Sequence, residues 1–291
     1  MAAERDVRAD LHVHSRCSDG TGAPGDIVAE AAAAGLNVIA LTDHDTTQGW
    51  AEAAAAAHRY GIALLRGAEV STRRGSLSVH ILSYLHDPAH PGLTAEFDKA
   101  RQSRVSRAQR MVESVAQEYD LSWADVTAQV KPGATLGRPH IADALVAKGY
   151  FGTRDEVFGQ VLGNGSRHYV GYYCPDPVDA VRLILAAGGV PVLAHPLATA
   201  RGRTLTTEGI VELIHAGLAG IEAYHRDNDP DRRDWLAQLA RDHGLIVTGS
   251  SDYHGSGKPN RLGEFTTAAP QVRRIVEAGS TPVIDPAGVL G

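Results

Sequence analysis

The feature that most constrains the fold is a repeated order of short apolar segments, each followed by histidine or a carboxylate. Residues 37–42, Asn-Val-Ile-Ala-Leu-Thr, predict a buried parallel strand, and Asp43, His44 and Asp45 come directly after it. Helical patterns separate such segments, and repeated strand–helix units predict a parallel sheet. The carboxyl ends of parallel strands meet at one edge, where active sites are built. The sequence therefore predicts an α/β fold with a polar site at that edge.

Histidine is unusually frequent, with 14 His against 4 Phe and 3 Trp, and imidazole is the commonest metal-binding side chain. His12 and His14 alternate with apolar residues, so both imidazoles would lie on one face of a strand. Taken alone, this pair fits either half of a metal site or a polar strand edge. At or just past predicted strand ends lie His12, His14, Asp43, His44, Glu69, His80, His195, His225, Asp252 and His254. Because they recur in strand after strand, we interpret them as one site.

Composition excludes some classes of function. The chain of 291 residues has a net charge of −6, so it has no general attraction to nucleic acid, and any phosphate binding must be local. Two cysteines do not make a disulfide framework, which indicates a reducing compartment. The N-terminal residues lack the apolar stretch of a secretion signal, and the alanine-rich runs are too short to cross a bilayer. We therefore expect a cytoplasmic protein without a membrane partner.

The middle of the chain departs from the strand–helix order. Helical patterns lie near 93–119, 122–130, 139–148 and 153–162, without a convincing strand. We predict a helical insertion over 87–167 that contributes to substrate binding, within a barrel formed by 1–86 and 168–291. The alternative is that these are ordinary barrel helices whose strands are not evident from the sequence.

Five segments, in this order along the chain, resemble the successive motifs of the PHP (polymerase and histidinol phosphatase) family. They are Asp10-Leu-His-Val-His-Ser15, Thr42-Asp-His-Asp45, Gly67-Ala-Glu69, Leu193-Ala-His-Pro196 and Gly249-Ser-Ser-Asp-Tyr-His-Gly255. Each is weak alone, and the order makes the resemblance specific. The resemblance implies a distorted (β/α)7 TIM-like barrel with two to three divalent ions at the strand ends.

The same resemblance implies the metal ligands. One ion would be held by His12, His14, Glu69 and Asp252; a second by Asp19, His44 and His254; a third by Glu69, as a bridge, with His80 and His195. Some family members have histidine where this chain has Asp19. A histidine and carboxylate set without thiolate suits Mn²⁺, Zn²⁺ or Fe²⁺, of which we favour Mn²⁺. Asp43 and Asp45 would either orient ligating imidazoles or serve as turn and cap residues.

The predicted insertion carries candidate substrate residues. In Gly137-Arg-Pro-His140, Arg138 and His140 stand at the start of a predicted helix, where backbone amides and guanidinium attract phosphate. The alternative is a capped helix with a surface arginine. The segment is similar to that of PHP phosphatases acting on nucleoside 3′,5′-bisphosphates and short RNA ends. By that resemblance Arg138 binds a substrate phosphate, and His140 binds phosphate or protonates the leaving oxygen.

Further basic residues lie nearby in the sequence. A row at every third position would form either a solvated helix face or a contact to a second phosphate or RNA; its members are Arg101, Arg104, Arg107 and Arg110. In the predicted barrel, His225 is a candidate for substrate contact or for supporting a ligand. Lys258 and Arg261, after the last motif, are similar candidates.

We therefore predict a metal-dependent hydrolase of phosphate esters. Several cations would neutralise the charge of a phosphate ester and activate a water. The expected reaction converts a nucleoside 3′,5′-bisphosphate to a nucleoside 5′-monophosphate and phosphate, on a small nucleotide or short oligonucleotide and without long nucleic acid. Alternatives are a 5′→3′ exonuclease on short RNA or DNA, a phosphatase of histidinol-phosphatase type, and a metal-stabilised module of a nucleic-acid complex without catalysis.

Overall fold

The computed structural model describes residues 6–130, 136–163, 165–198 and 204–291. The chain forms two compact units. The barrel unit comprises the described residues up to Phe97 and those from Cys174 to Gly291, and the helical unit comprises those of Asp98–Tyr173. None of the helices within these described ranges is long and apolar enough to cross a membrane.

The barrel unit is built on one seven-stranded sheet whose strands follow their order in the sequence. The strands are β1 (Ala9–Val13), β2 (Val38–Leu41), β3 (Ala63–Arg74), β4 (Leu77–Tyr84), β5 (Val190–Leu193), β6 (Gly220–Tyr224) and β7 (Ile246–Gly249). Val13 in β1 bridges to Tyr253, just after β7, and His14 N donates to Tyr253 O at 2.8 Å. The sheet is therefore a nearly closed barrel, and the predicted α/β barrel is confirmed.

One strand gives the barrel its distortion. β4 is antiparallel to both β3 and β5, whereas the other neighbouring strands are parallel. Only Gly75 and Ser76 separate β3 from β4, and Gly75 has a φ of 59°, so the chain turns back in a tight hairpin. His80 therefore lies in the first half of β4, and the expectation that it lies at or just past the carboxyl end of its strand is wrong. Because β4 runs in the opposite direction, that half meets the end of β5, where Ala194 N donates to His80 O.

Helices cover the sheet and end where the sequence indicates. They are α1 (Pro24–Ala33), α2 (Trp50–Tyr60), α7 (Pro177–Ala186), α8 (Thr207–His215), α9 (Arg233–Asp242) and α10 (Ala269–Ala278). Gly61 has a left-handed backbone that ends α2, as expected for a glycine C-cap. Asp176 caps α7 by accepting from Val178 N at 2.9 Å.

The helical unit has its own apolar core. Its helices are the later part of α3 (Pro91–Val115), then α4 (Trp123–Thr127), α5 (Arg138–Ala147) and α6 (Arg154–Val157), which a π-helical turn over Phe158–Leu162 follows. Met111, Ile141 and Leu145 are among its buried side chains. The unit begins later than the predicted start at 87, because Leu93 and Phe97 in the first part of α3 are buried in the barrel core.

A buried carboxylate helps to close the barrel. Asp10, in β1, is fully buried and accepts hydrogen bonds from Ser251 N at 3.0 Å and Gly263 N at 2.9 Å. Burial raises the pKa of Asp10 to about 6, although these hydrogen bonds act to lower it. The side chain thus ties the first strand to the two segments that follow the last strand.

We expect Asp10→Ala to lower the free energy of unfolding of the barrel by about 3 kcal/mol, since the amides of Ser251 and Gly263 would lose a buried acceptor. Thermal unfolding of chelator-treated protein, followed by circular dichroism, measures the loss. Asp6→Ala is the matched control: this side chain is exposed, and its removal should change stability by less than about 0.5 kcal/mol. Equal stability of the two variants would contradict the role of Asp10.

Candidate metal centre

The first strand places two imidazoles side by side. Leu11 and Val13 are buried in the core, and the rings of His12 and His14 lie 5.1 Å apart between their centroids. Their Nε2 atoms are 3.0 Å apart, so both rings direct the same atom to one point. The loop that follows is compact at Gly20, where a Cβ atom would lie 2.6 Å from His14 O, so only glycine fits.

Two carboxylates complete this group. Glu69 Oε2 lies 3.1 Å from His12 Nε2 and 3.0 Å from His14 Nε2. Asp252 Oδ1 lies 3.4 Å and 3.2 Å from the same two atoms. All four residues are buried. Ligands at about 2.1 Å from a tetrahedral ion are about 3.4 Å apart, so this donor set fits one divalent cation.

Glu222 holds the proton of His12 on Nδ1, the ring nitrogen that faces away from the other three members of this donor set. Its Oε1 is 3.0 Å from His12 Nδ1, and its Oε2 accepts from His195 N at 2.9 Å. With the Nδ1 proton held by a carboxylate, Nε2 of a neutral ring presents a lone pair to the two carboxylates and to His14. Although burial lowers it, Glu69, Glu222 and Asp252 raise the pKa of His12 well above its usual value. A bound divalent ion would supply the positive charge in place of that proton.

Asp19, His44 and His254, which the family resemblance implies as ligands of one ion, also lie close together. His254 Nε2 is 3.1 Å from Asp19 Oδ1, and His44 Nε2 is 3.9 Å from Asp19 Oδ2. His14 Nδ1 lies 3.7 Å from Asp19 Oδ1, so His14 can serve this group as well. Asp19 is the most open member, with 38% of its side chain exposed.

Glu69 connects these residues to the remaining predicted ligands. Its Oε1 lies 2.7 Å from His80 Nδ1 and 3.2 Å from His195 Nε2, while Oε2 is 3.3 Å from His44 Nε2. His44, Glu69 and His80 form another candidate group, whose donor atoms lie within 4.8 Å of one another. His195 instead groups with His12 and Glu222, although it also contacts Glu69. A bridging position for Glu69 is thus consistent with its contacts on both oxygens.

The electrostatics of the cluster favour cations. Burial alone would raise the pKa of Glu69, but His44, His80 and His12 outweigh it and hold the pKa well below its usual value. Burial would lower the pKa of His14, yet hydrogen bonds to Asp252 and Glu69 raise it to about 9. At His44 burial prevails and the pKa is well below normal. The carboxylates are therefore ionised and draw positive charge to His14.

Backbone strain marks two of the predicted ligands. Among the described residues other than glycine, φ is positive only at Asp45, Leu85, His195 and Asp252. The values are 29° at His195 and 54° at Asp252, in a region that side chains with a Cβ disfavour. Such strain typically accumulates at functional sites, where the surrounding structure holds it in place.

Asp43 and Asp45 support loops. Asp43 accepts from Ser15 N at 2.8 Å and from the hydroxyls of Ser15 and Ser18 at 2.6 Å, which shapes the loop that carries Asp19. Asp45 accepts from Ser71 N at 2.9 Å. These contacts favour a role for Asp43 and Asp45 as turn and cap residues over a role in orienting metal-binding imidazoles.

His225 lies beside the cluster. It is buried, its ring centroid is 5.2 Å from that of His195, and its Nε2 is 3.8 Å from Asp252 Oδ2. Its Nδ1 accepts from Asp227 N at 3.0 Å. The ammonium group of Lys258 is 3.1 Å from the same oxygen of Asp252. The side chains of His225 and Lys258 therefore both face Asp252, a predicted metal ligand.

Arg138 and His140 lie in the helical unit. Arg138 Nη1 donates to Leu162 O at 3.1 Å, and the guanidinium lies over the rings of Phe158 and Tyr169. Gly137 N donates to His140 Nδ1 at 3.1 Å, so a neutral His140 carries its proton on Nε2 and can donate from there. Their roles toward a substrate stay predictions.

Sequence reasoning missed Glu222. It is a single carboxylate within an apolar strand, Gly-Ile-Glu-Ala-Tyr over 220–224, and it is completely buried. A charged residue is almost never fully buried without a partner, so its place inside a predicted core strand was the available signal.

Comparisons with known proteins agree with this geometry. The PHP domain family pattern matches residues 10–187. The chain is 38% identical over 272 residues to the 3′,5′-nucleoside bisphosphate phosphatase of Chromobacterium violaceum, covering 91% of this chain and 93% of the relative. It is 33% identical to a 5′-3′ exoribonuclease of Haemophilus influenzae, covering 84% and 89%. A solved structure described as a metal-dependent phosphoesterase of Bifidobacterium adolescentis has a TM-score of 0.90 and 40% identity, covering 95% of this chain and 98% of that one.

We expect Glu222→Gln to weaken the binding of divalent ions by about 10- to 100-fold, because the neutral amide no longer holds the His12 tautomer. Titration calorimetry of Mn²⁺ or Zn²⁺ into chelator-treated protein measures this affinity directly. Glu277→Gln, an exposed change on α10, is the control and should bind ions like the wild type. Equal affinities in the two variants would exclude this role for Glu222.

Proposed function

The chain belongs to the PHP domain family, and on that premise we propose that it hydrolyses the 3′-phosphate of nucleoside 3′,5′-bisphosphates. The products would be inorganic phosphate and a nucleoside 5′-monophosphate. A metal-dependent hydrolase of phosphate esters, as predicted from the five motifs, is supported by relatives that span nearly the whole chain. The observation that carries the proposal is the buried cluster around Glu69, whose donor atoms suit more than one cation.

We propose two to three divalent ions at this cluster. His12, His14, Glu69 and Asp252 would hold one; Asp19, His44 and His254 a second; Glu69, His80 and His195 a third. Mn²⁺ is favoured over Zn²⁺ and Fe²⁺, given imidazole and carboxylate donors without thiolate. Bound ions would neutralise the charge of the phosphate ester and lower the pKa of a water that attacks phosphorus.

The protein's own groups would position the substrate and move protons. Lys258 Nζ, 3.1 Å from Asp252 Oδ2, would support the anionic substrate with a positive charge. Arg138 would bind a substrate phosphate through its guanidinium. The Nε2 proton of His140 would be donated to phosphate or to the leaving oxygen. His225 would contact the substrate or support Asp252.

A second candidate function is 5′→3′ exonuclease activity on short RNA or DNA. The 33% identity to the Haemophilus influenzae exoribonuclease favours it. The same ions and phosphate-binding groups could serve a diester as well as a monoester. Both reactions involve a small nucleotide or a short oligonucleotide and require neither a membrane nor long nucleic acid. We also propose a cytoplasmic location, since Cys17 and Cys174 do not form a disulfide.

The ion assignment predicts the effect of Glu69→Gln. Without a charged bridge the variant should lose at least one ion per chain and about a hundredfold in kcat/KM. Elemental analysis after reconstitution with Mn²⁺ and with Zn²⁺ counts the ions, with Glu277→Gln as control. Fewer than about two ions per wild-type chain would contradict a mechanism with several cations.

The substrate assignment predicts that adenosine 3′,5′-bisphosphate is hydrolysed in preference to a short 5′-phosphorylated oligonucleotide. The comparison is made by kcat/KM, with the same number of ions bound per chain in both assays. Arg138→Ala should lower kcat/KM for the bisphosphate by about tenfold or more, since a charged hydrogen-bond donor is lost. Arg154→Ala, which removes an exposed arginine paired with Asp143, is the control. Preference for the oligonucleotide would favour the exonuclease, and no turnover on either would favour a module without catalysis.

A further inference from the structure

The imidazoles around the metal centre differ in what their Nδ1 atoms face. Nδ1 of His12 lies 3.0 Å from a carboxylate oxygen of Glu222, and Nδ1 of His254 lies 2.8 Å from the backbone oxygen of Asp252. Both neighbours are hydrogen-bond acceptors, so in a neutral ring the proton is on Nδ1. Nε2 then has the lone pair that a metal ligand requires. The tautomers of these two rings therefore suit ion binding.

His225 has the opposite arrangement. Asp227 N donates to its Nδ1 at 3.0 Å, which requires a lone pair on that atom, so the ring is neutral and its proton is on Nε2. A neutral imidazole with a proton on Nε2 cannot bind an ion through that nitrogen. The ligand atoms of His225, Asp227 and Asp252 lie within 4.8 Å of one another, as in a metal site, but this tautomer excludes His225 as the ligand.

The Nε2 proton of His225 needs an acceptor inside the barrel unit. The side chain is completely buried, and its Nε2 has no hydrogen-bond partner among the residues that the structure describes. Asp252 Oδ2 lies 3.8 Å from Nε2, so a shift of about 0.9 Å would bring the two atoms to hydrogen-bond distance. A buried donor without an acceptor is unfavourable, and an ionised carboxylate is a strong acceptor. The position of the ring therefore favours a hydrogen bond to Asp252.

The two carboxylate oxygens of Asp252 face different partners. Oδ1 lies 3.4 Å from His12 Nε2 and 3.2 Å from His14 Nε2, among the predicted ligands of one ion. Oδ2 instead accepts a hydrogen bond from Lys258 Nζ at 3.1 Å and faces Nε2 of His225. One oxygen is thus directed to the proposed ion, and the other is directed to two nitrogen donors.

We propose that His225 is a positioning residue of the metal centre: it donates from Nε2 to Asp252 Oδ2 and, together with Lys258, leaves only Oδ1 to bind an ion. Hydrogen bonds to the far side of a ligand fix its orientation and strengthen metal binding. A carboxylate that binds through one oxygen fills one coordination position, so a further position stays open to the substrate. The inference rests on the proposed function through the ion that we assign to Asp252.

Nuclear magnetic resonance of the full-length protein, loaded with diamagnetic Zn²⁺ and containing isotope-labelled histidine, tests the tautomer directly. Couplings between the ring nitrogens and the ring protons should show a proton on Nε2 of His225, and on Nδ1 of His12 and His254. The His225→Gln variant identifies the signals of His225 by their loss. A proton on Nδ1 of His225, or Zn²⁺ bound to its Nε2, would overturn the proposal.

Titration calorimetry of Zn²⁺ into chelator-treated protein measures what the hydrogen bond contributes to ion binding. His225→Leu should weaken binding by about tenfold or more, whereas His225→Gln, whose amide N–H can replace that of Nε2, should stay within about threefold of the wild type. His243→Leu, the same change at an exposed position, is the matched control and should bind like the wild type. Unchanged affinity in His225→Leu, or an equal loss in His225→Gln, would overturn the donor role. If His225→Leu does not fold, the tautomer in the resonance experiment decides.

The number of bound ions separates this proposal from a further metal site and from a failure of the proposed function. By elemental analysis, Asp227→Asn should retain as many ions per chain as the wild type, because the substitution keeps the backbone amide that contacts His225. Loss of one ion would overturn the proposal in favour of a site formed by His225, Asp227 and Asp252. Ion binding that is insensitive to His225 would overturn this inference alone, whereas a wild type that bound no divalent ion would overturn the proposed metal centre itself.

Discussion

The structure depends on one buried carboxylate. Glu69 has both oxygens within 3.3 Å of imidazole nitrogens from His12, His14, His44, His80 and His195. A carboxylate this deep in protein is unfavourable by several kcal/mol unless positive charge surrounds it. The five imidazoles come from β1, β2, β4 and β5 or the residues shortly after them, and β3, in the middle of these strands, carries Glu69 itself. Divalent ions would satisfy the carboxylate and leave the imidazoles neutral.

Much of this centre could be predicted because parallel strands end at one edge. His44 and His254 follow β2 and β7, and the alternation along β1 and the residue after it places His12 and His14 together. His80 shows the limit of that rule. The direction of β4 is set by a two-residue turn, and the apolar pattern of a strand contains no information on its direction. Glu222 shows another limit. Its role depends on contact with His12, which is more than two hundred residues away in the sequence, and a local sequence pattern cannot predict such a contact.

In the helical unit, too, local structure could be predicted from the sequence and long-range contacts could not. Periodicity predicts its helices, and the spacing of three along α3 predicts a row of arginines on one side. It could not predict which arginines would meet aromatic rings, since Tyr169 and Tyr172 lie in a segment without regular structure. The chain brings that segment back along α3, where Val170 O accepts from Arg107 and Gly171 O from Arg110. Long-range contacts of this kind, and not helix propensity, determine which positive charges gather.

The left-handed backbone at His195 and Asp252 has a consequence for evolution. Glycine would relieve the strain at either position, so each side chain persists at the expense of stability. In a descendant of this chain that no longer bound ions, only the remaining contacts of these side chains, such as that of Lys258 with Asp252, would oppose glycine. The residues at these two positions therefore distinguish relatives that still need the centre from relatives that retain only its barrel.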